Sequence, residues 1–250
     1  MKELVSIITP SYNNALFIEE TIESVLHQTY PHWELIIIDD CSLDNSLEII
    51  KRYAKDEPRI KLIINTENVG VSESRNIAIK SAKGTYIAFL DSDDLWLPKK
   101  LYKQLTLMKK TNSLMSYSSY KTINEKSIVT GYFLVKTKVS YKDLLKTSTI
   151  GTLTTIYNAK KLGKFYFDDR GHEDYVMKLN ILKRIGVARG VREPLAHYRI
   201  VENSISRNKL QAASWQWKIY RESEKLPPLK SFYYFMHYTY NGFTKYKKKD

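Results

Sequence analysis

The sequence predicts an α/β fold: a mostly parallel central sheet with helices on both faces. Three observations carry this. Aliphatic and β-branched runs recur at 4–9, 34–40, 60–65 and 85–90 with little polar interruption, as in strands buried on both faces. Between them, apolar residues fall at helical spacing, so strand and helix alternate. Beyond residue 98 the alternation gives way to short runs of mixed patterning, which predict a mixed extension of the sheet.

"LVSIIT" (4–9) stops at Pro10 and forms the first strand. Ile18, Ile22, Val25 and Leu26 define an amphipathic helix over 15–28. "ELIIIDD" (34–40) is the second strand, and Leu47, Ile50, Tyr53 and Ala54 mark the second helix, with Ser42 and Asp44 as its caps. "IKLIIN" (60–65) is the third strand. "SESRNIAIKSAKG" (72–84) is a helix closed by Gly84 in a left-handed cap. "TYIAFL" (85–90) is the fourth strand. A lysine-rich helix (99–110), strands at 114–122, 128–135 and 153–158, a helix at 173–185 and a strand at 194–200 follow. The end, 207–248, reads as helical and broken at Pro227-Pro228. We expect one domain over 1–206, with a nucleotide-binding half (1–98) and an acceptor-side half (99–206). Residues 207–250 form a helical, basic and aromatic tail.

The chain has 250 residues, 43% hydrophobic and 27% charged, which excludes a disordered protein. Cys41 is the single cysteine, so no disulfide framework is possible, and we read it as a bystander. No basic start with an apolar core opens the chain, and no run is long enough to span a bilayer. These features predict a cytoplasmic protein. The net charge of +13 is unevenly spread. Residues 1–94 hold nine Lys and Arg against sixteen Asp and Glu; residues 95–164 hold fourteen lysines against Glu125 and Asp143. A basic half suggests an anionic partner.

Ligands of open parallel sheets bind beyond the carboxyl ends of the strands. Here those ends carry Pro10-Ser11-Tyr12-Asn13-Asn14, Asp39-Asp40, Asn65 with Asn68 and Gly70, and Asp91-Ser92-Asp93-Asp94. Converging carboxylates require a cation, and hard oxygen donors favour Mg²⁺ or Mn²⁺. Along an extended segment Asp91 and Asp93 share one side and Asp94 faces the other. A metal beside such a crevice suits chemistry on a diphosphate. No G-x-G-x-x-G or P-loop is present. A haloacid-dehalogenase-type phosphatase would carry its D-x-D on the first strand, not the fourth. A nucleic-acid-binding module is opposed by the acidic strand ends, so no nucleic acid partner is expected.

"VSIITPSYNN", "ELIIIDDCSLDNS", "NVGVSESRN" and "GTYIAFLDSDDLW", in this order, resemble family 2 of the nucleotide-sugar glycosyltransferases. That resemblance implies the Rossmann-related GT-A fold and inverting transfer of a sugar from a nucleoside diphosphate, usually UDP, to a glycan hydroxyl. It covers 3–100 closely; beyond that it rests on "GHEDYVMKL" and "HYRIVENSIS". It implies that Pro10, Ser11, Tyr12, Asp40, Arg75 and Asp91 bind the nucleotide, that Asp93 holds Mn²⁺ or Mg²⁺, and that Asp174 is the base. His197 would join the metal site. Glu173 and Arg199 would lie on the donor or acceptor side, and Asp94, on the other side of its segment, serves either the sugar or the structure. Bacterial members commonly build capsule, O-antigen or lipooligosaccharide on lipid-linked acceptors. Residues 226–250 hold eight Phe and Tyr, five lysines and one acid, which suits peripheral contact with the inner face of the cell membrane.

Overall fold

The computed structural model describes residues 2–168, 173–201 and 209–245. Its first half is four parallel strands, β1 (Val5–Ser11), β2 (Trp33–Asp39), β3 (Ile60–Ile64) and β4 (Tyr86–Phe89), in spatial order β3-β2-β1-β4. Helices α1 (Ile18–Leu26), α2 (Ser46–Asp56) and α3 (Val71–Ser81) make the crossovers. The pleat sends successive side chains to opposite faces. Ile7, Leu35 and Ile37 join Ile18 and Ile22 of α1 and Ile50 of α2 in one core. Ile8, Ile36 and Ile38 join Ala78 and Ile79 of α3 in the other. β1, β2 and β4 are buried on both faces, and the polar residues inside β1 and β2 are buried too: Ser6 Oγ donates to Glu34 Oε1 at 2.5 Å.

The second half adds β5 (Leu95–Trp96), α4 (Lys100–Thr111), β6 (Met115–Ile123), β7 (Val129–Phe133), β8 (Lys138–Ser140), α5 (Tyr141–Lys146), β9 (Ile156–Asn158), α6 (Ala159–Leu162), α7 (Glu173–Ile185) and β10 (Val187–Arg199). The sheet continues past β4 as β9-β6-β10-β5, with β7 on β6 and β8 on β10, giving ten strands among the described residues. β6 and β10 are parallel; β5, β7, β8 and β9 pair antiparallel. One sheet therefore crosses the expected boundary at residue 98. The chain ends in α8 (Lys209–Lys218), a π-helical turn (Ile219–Ser223) and α9 (Pro228–Lys245).

Three local expectations change. Gly84 does not close α3, which ends at Ser81 with Ala82 as its cap. A Cβ on Gly84 would lie 2.6 Å from the Ser6 nitrogen, so the residue is small to let the chain pass β1 closely. Ser42 does not cap α2: its Oγ accepts from the Asn13 amide at 3.1 Å, tying the β1 and β2 loops together. Asp44 does receive the Ser46 amide at the start of α2, and the Ala15 amide too, each at 2.9 Å. β10 begins seven residues before the expected strand at 194, because register shifts on either side of Pro194 absorb the proline.

Candidate active site

The site forms where β1 and β4 separate. Their pairing ends at Ile8 and Phe89, so Pro10, which has no N–H, sits where β4 has already stopped. The strand order reverses there, and that is where open α/β sheets open a crevice. Beyond it Tyr12 is half exposed, whereas Pro10 and Ser11 are buried beneath. Asp40, also buried, accepts from Asn65 Nδ2 at 2.7 Å and from the amides of Val69 and Gly70 at 2.9 Å each. One carboxylate thus holds the β3–α3 loop against β2. Gly70 meets it with φ near 85°, a conformation that favours glycine.

Arg75 of α3 connects the acidic groups. Its guanidinium is buried, donates to Asp91 Oδ1 at 2.6 Å and lies 5.1 Å from the Phe167 ring. The next residue, Asn76, exchanges two hydrogen bonds with the Phe167 backbone, at 2.8 and 3.0 Å. α3 therefore pins both the D-x-D segment and the chain that leads toward α7.

The three acids of "DSDD" are in different states. Asp91 is paired with Arg75. Asp93 is partly buried; burial and then the Asp91 charge push its carboxyl up to about 6. Asp94 is fully enclosed, and burial together with Asp93 and Asp91 raises its carboxyl well above the usual range. Its Oδ1 accepts the Arg199 amide at 2.8 Å, and Oδ2 is buried with no hydrogen-bond partner. Burial and the two neighbouring carboxylates thus favour the protonated form of Asp94 over the charged one. Enclosed in this way, Asp94 takes the structural one of its two expected roles.

Arg199 is also corrected. Its Nε donates to the Asp93 carbonyl at 2.8 Å, Nη1 to the Asn124 and Glu125 carbonyls and Ser127 Oγ, and Nη2 to Glu20 at 2.7 Å. The guanidinium lies 4.4 Å from the Phe17 ring. With its donors occupied and the side chain buried, Arg199 braces the D-x-D turn against α1 and the β6–β7 loop. Thr21 Oγ1 assists, donating to the Ser92 and Asp94 carbonyls at 2.9 Å each. His197 lies on β10 opposite Leu95 of β5. Burial, then the cations Lys121 and Arg199, lower its pKa, which favours the neutral imidazole.

Asp174 stands in the first turn of α7. Its Oδ2 accepts from buried Lys178 Nζ at 2.7 Å and from Thr152 Oγ1 at 2.5 Å. Lys178 also donates to the Ile150 carbonyl at 2.8 Å. Oδ1 receives no hydrogen bond from the described residues. Burial alone would raise the Asp174 carboxyl; Lys178, Thr152 and Arg75 reverse this and hold it well below the usual range. The side chain of Glu173 lies outside the described residues. The sequence reading missed Lys178 and Thr152. The signal for Lys178 was its i+4 position on the same helix face as Asp174.

The family model for glycosyl transferase family 2 matches residues 6–161, which span all four strand ends and the D-x-D.

The chain belongs to glycosyl transferase family 2.

It is 41% identical over 246 residues to TuaG of Bacillus subtilis (strain 168), named as a candidate teichuronic acid biosynthesis glycosyltransferase, covering 98% of each chain. It is 40% identical over 244 residues to WfgD of Escherichia coli, named UDP-Glc:alpha-D-GlcNAc-diphosphoundecaprenol beta-1,3-glucosyltransferase, covering 97% of this chain and 95% of that one. Among solved structures, S. aureus TarS 1-349 in complex with UDP-GlcNAc superposes with a TM-score of 0.73 at 20% identity, over all of this chain and 77% of that one. The fold is therefore GT-A-like, with a helical C-terminal end, and the protein is a glycosyltransferase.

In this glycosyltransferase the raised carboxyl of Asp94 makes a sharp prediction. Asp94→Asn keeps the acceptor for the Arg199 amide and is expected to stay within about 1 kcal/mol of the parent. Asp94→Ala orphans that amide and leaves a cavity, costing about 2–4 kcal/mol. Equal losses for the two variants in denaturant unfolding would show that the carboxylate is charged.

Proposed function

We propose that this glycosyltransferase moves a sugar from a UDP-sugar to a hydroxyl of a lipid-linked glycan, with inversion, in bacterial surface polysaccharide synthesis. The observation that carries the reading is the pairing of opposed sites through Arg75. That one cation bonds Asp91, partly offsets the rise at Asp93, and adds to Lys178 and Thr152 in holding Asp174 low. It thus lies between the acids of the donor side and a carboxylate suited to take a proton.

In this reading Tyr12 and Asp40 hold the nucleoside, and Arg75 with Asp91 orders the diphosphate end. Asp174 accepts the proton of the attacking hydroxyl at Oδ1, the oxygen its partners leave open. Asp93 and Asp91 fit a hard divalent cation, because Mg²⁺-type sites use one or two carboxylates and take their other ligands from substrate phosphate and water. Among the described residues no three His, Cys, Asp or Glu side chains cluster as a ready-made metal cage, in keeping with such a shared site. When bound, Mn²⁺ or Mg²⁺ would neutralise charge on the departing diphosphate. The Escherichia coli relative named above supports the donor and the diphospholipid acceptor. A lipid-linked acceptor supports work at the cytoplasmic face of the membrane, with peripheral contact through 226–250.

Calorimetric titration with UDP, GDP and CDP in the presence of Mn²⁺ tests the donor assignment without needing the acceptor. UDP is expected to bind tightest, and Asp40→Ala to weaken it about tenfold or more by releasing the β3–α3 loop. Equal affinities for the three nucleotides would overturn the UDP assignment.

A further inference from the structure

Helix α9 has its apolar residues on the wrong side for a helix packed on a soluble domain. Its inner face is satisfied. Ser231 is fully buried, Tyr234 and Phe235 pack on the core, and the Phe235 ring meets Trp217 edge-on at 5.6 Å. Its outer face should be polar. Instead Leu229 is 85% exposed, Phe232 58%, Met236 53% and Tyr240 68%. At about 100° per residue these positions, with Tyr233, fall within one arc about 100° wide. They line a shallow groove along the helix.

The surrounding charge identifies what this face meets. From residue 226 to 249 the sequence has no acid and five lysines, and among the described side chains Lys225 and Lys230 stand at the start of the apolar stripe. Lys146 of α5 holds its ammonium 5.5 Å from the Tyr233 ring, beside the exposed stripe. No helix among the described residues is long and apolar enough to cross a membrane. An apolar stripe rimmed by lysines and lacking carboxylates matches the interfacial zone of an anionic bilayer. There the side chains of Leu, Phe and Met enter the acyl boundary and the lysines meet headgroup phosphate. A protein partner would have to supply a matching acidic rim around its own apolar patch.

We propose that the outer face of α9 is a docking surface for anionic phospholipid, on which the helix lies flat. The proposal rests on the lipid-linked acceptor reading for its purpose, but not for its geometry. α9 packs on α5, and α5 packs on α7. The Tyr175 hydroxyl donates to the Leu144 carbonyl at 2.8 Å, so the residue after Asp174 is bonded to the helix that supports α9. Docking through α9 would hold the acceptor-side helix in a fixed relation to the bilayer surface.

The test is co-sedimentation of the full chain with vesicles of phosphatidylcholine alone or mixed with phosphatidylglycerol. The parent is compared with the triple variant Leu229→Ser, Phe232→Ser, Met236→Ser. All three side chains are exposed, so the fold is kept, and an unchanged thermal transition confirms it. The parent is expected to bind the mixed vesicles roughly tenfold or more tighter than the variant, and to weaken as salt rises. Equal binding by parent and variant overturns the proposal, as does equal parental binding to neutral and mixed vesicles. A concentration-dependent dimer in light scattering, abolished by the triple variant and without vesicle binding, assigns the face to a second copy and also overturns it. Nucleoside diphosphate release with a water-soluble acceptor separates the two readings. The triple variant is expected to match the parent there. Vesicle binding without turnover of any donor would sink the proposed reaction and leave the docking surface standing.

Discussion

Asp174→Asn is expected to lower kcat by about 10²–10⁴-fold while the donor KM stays within about twofold. The amide keeps the shape of the carboxylate but cannot accept the acceptor's proton. Asp174 is bonded to Lys178 and Thr152 rather than to the Asp40 loop, and it acts on the donor side only through the Arg75 charge, so donor binding should change little. Its partners set how the base works. Lys178 and Thr152 both bond Oδ2, which fixes the carboxylate plane and leaves Oδ1 for the incoming hydroxyl. The cost is basicity. With its carboxyl held below the usual range, Asp174 stays ionised through mildly acidic pH and contributes no acid limb there. The depressed value adds stability above the unfolded carboxylate value of about 3.9, lost as pH falls through the lower folded one. Lys178→Met removes the counter-charge, so Asp174 should rise and bring an acid limb into the kcat profile. An unchanged profile would mean that Lys178 does not control the base. The fold must be checked alongside, since the variant leaves Asp174 without its buried partner.

Asp93→Asn is expected to lower kcat/KM by about 10²–10³-fold, the scale seen when one preorganised electrostatic group is removed from a transition state. It should also abolish the dependence on added Mn²⁺. Burial and Asp91 raise the Asp93 carboxyl to about 6, so proton and cation compete for the same oxygens. Mn²⁺ affinity should fall as pH drops through about 6. The metal-free protein should respond in the opposite sense. A carboxyl whose folded value is raised binds its proton more tightly when folded. Its protonation therefore adds stability as pH falls from about 6 toward the unfolded value near 4. Thermal melts of the metal-free parent and Asp93→Asn across that range would show the gain in the parent and its loss in the variant. A parent that only loses stability on acidification would contradict the state assigned to Asp93.

The first half of the fold was readable because its signal is local. Ile7 and Ile8, or Ile36 and Ile37, are adjacent apolar residues that must each find a core on opposite faces, which leaves few architectures open. The second half was less readable. β8 and α5 are short, and their clue, a reciprocal Ser140–Asp143 capping box, uses Asp in place of the usual Glu. The donor-side acids could be found from their positions at strand ends. Their ionisation states could not. Asp93 and Asp94 are neighbours in sequence, yet one borders the crevice and the other is enclosed beneath Arg199. That enclosure depends on Glu20, 179 residues away. No periodicity announces a contact of that span, so Arg199 read as a ligand-facing cation when it is a brace.

The acidic run that ends β4 is thus divided among three physical roles: a charge paired with Arg75, a titrating oxygen donor, and an enclosed acid whose carboxyl burial raises. The measurement that tests the reaction most directly is the anomeric configuration of the first product, by NMR, from a UDP-sugar and a GlcNAc-diphospholipid acceptor with Mn²⁺. Inverted configuration relative to the donor, formed by the parent and lost in Asp174→Asn, is the predicted result. Retained configuration, or inverted product formed at the parental rate by Asp174→Asn, would contradict the assignment of Asp174 as the base.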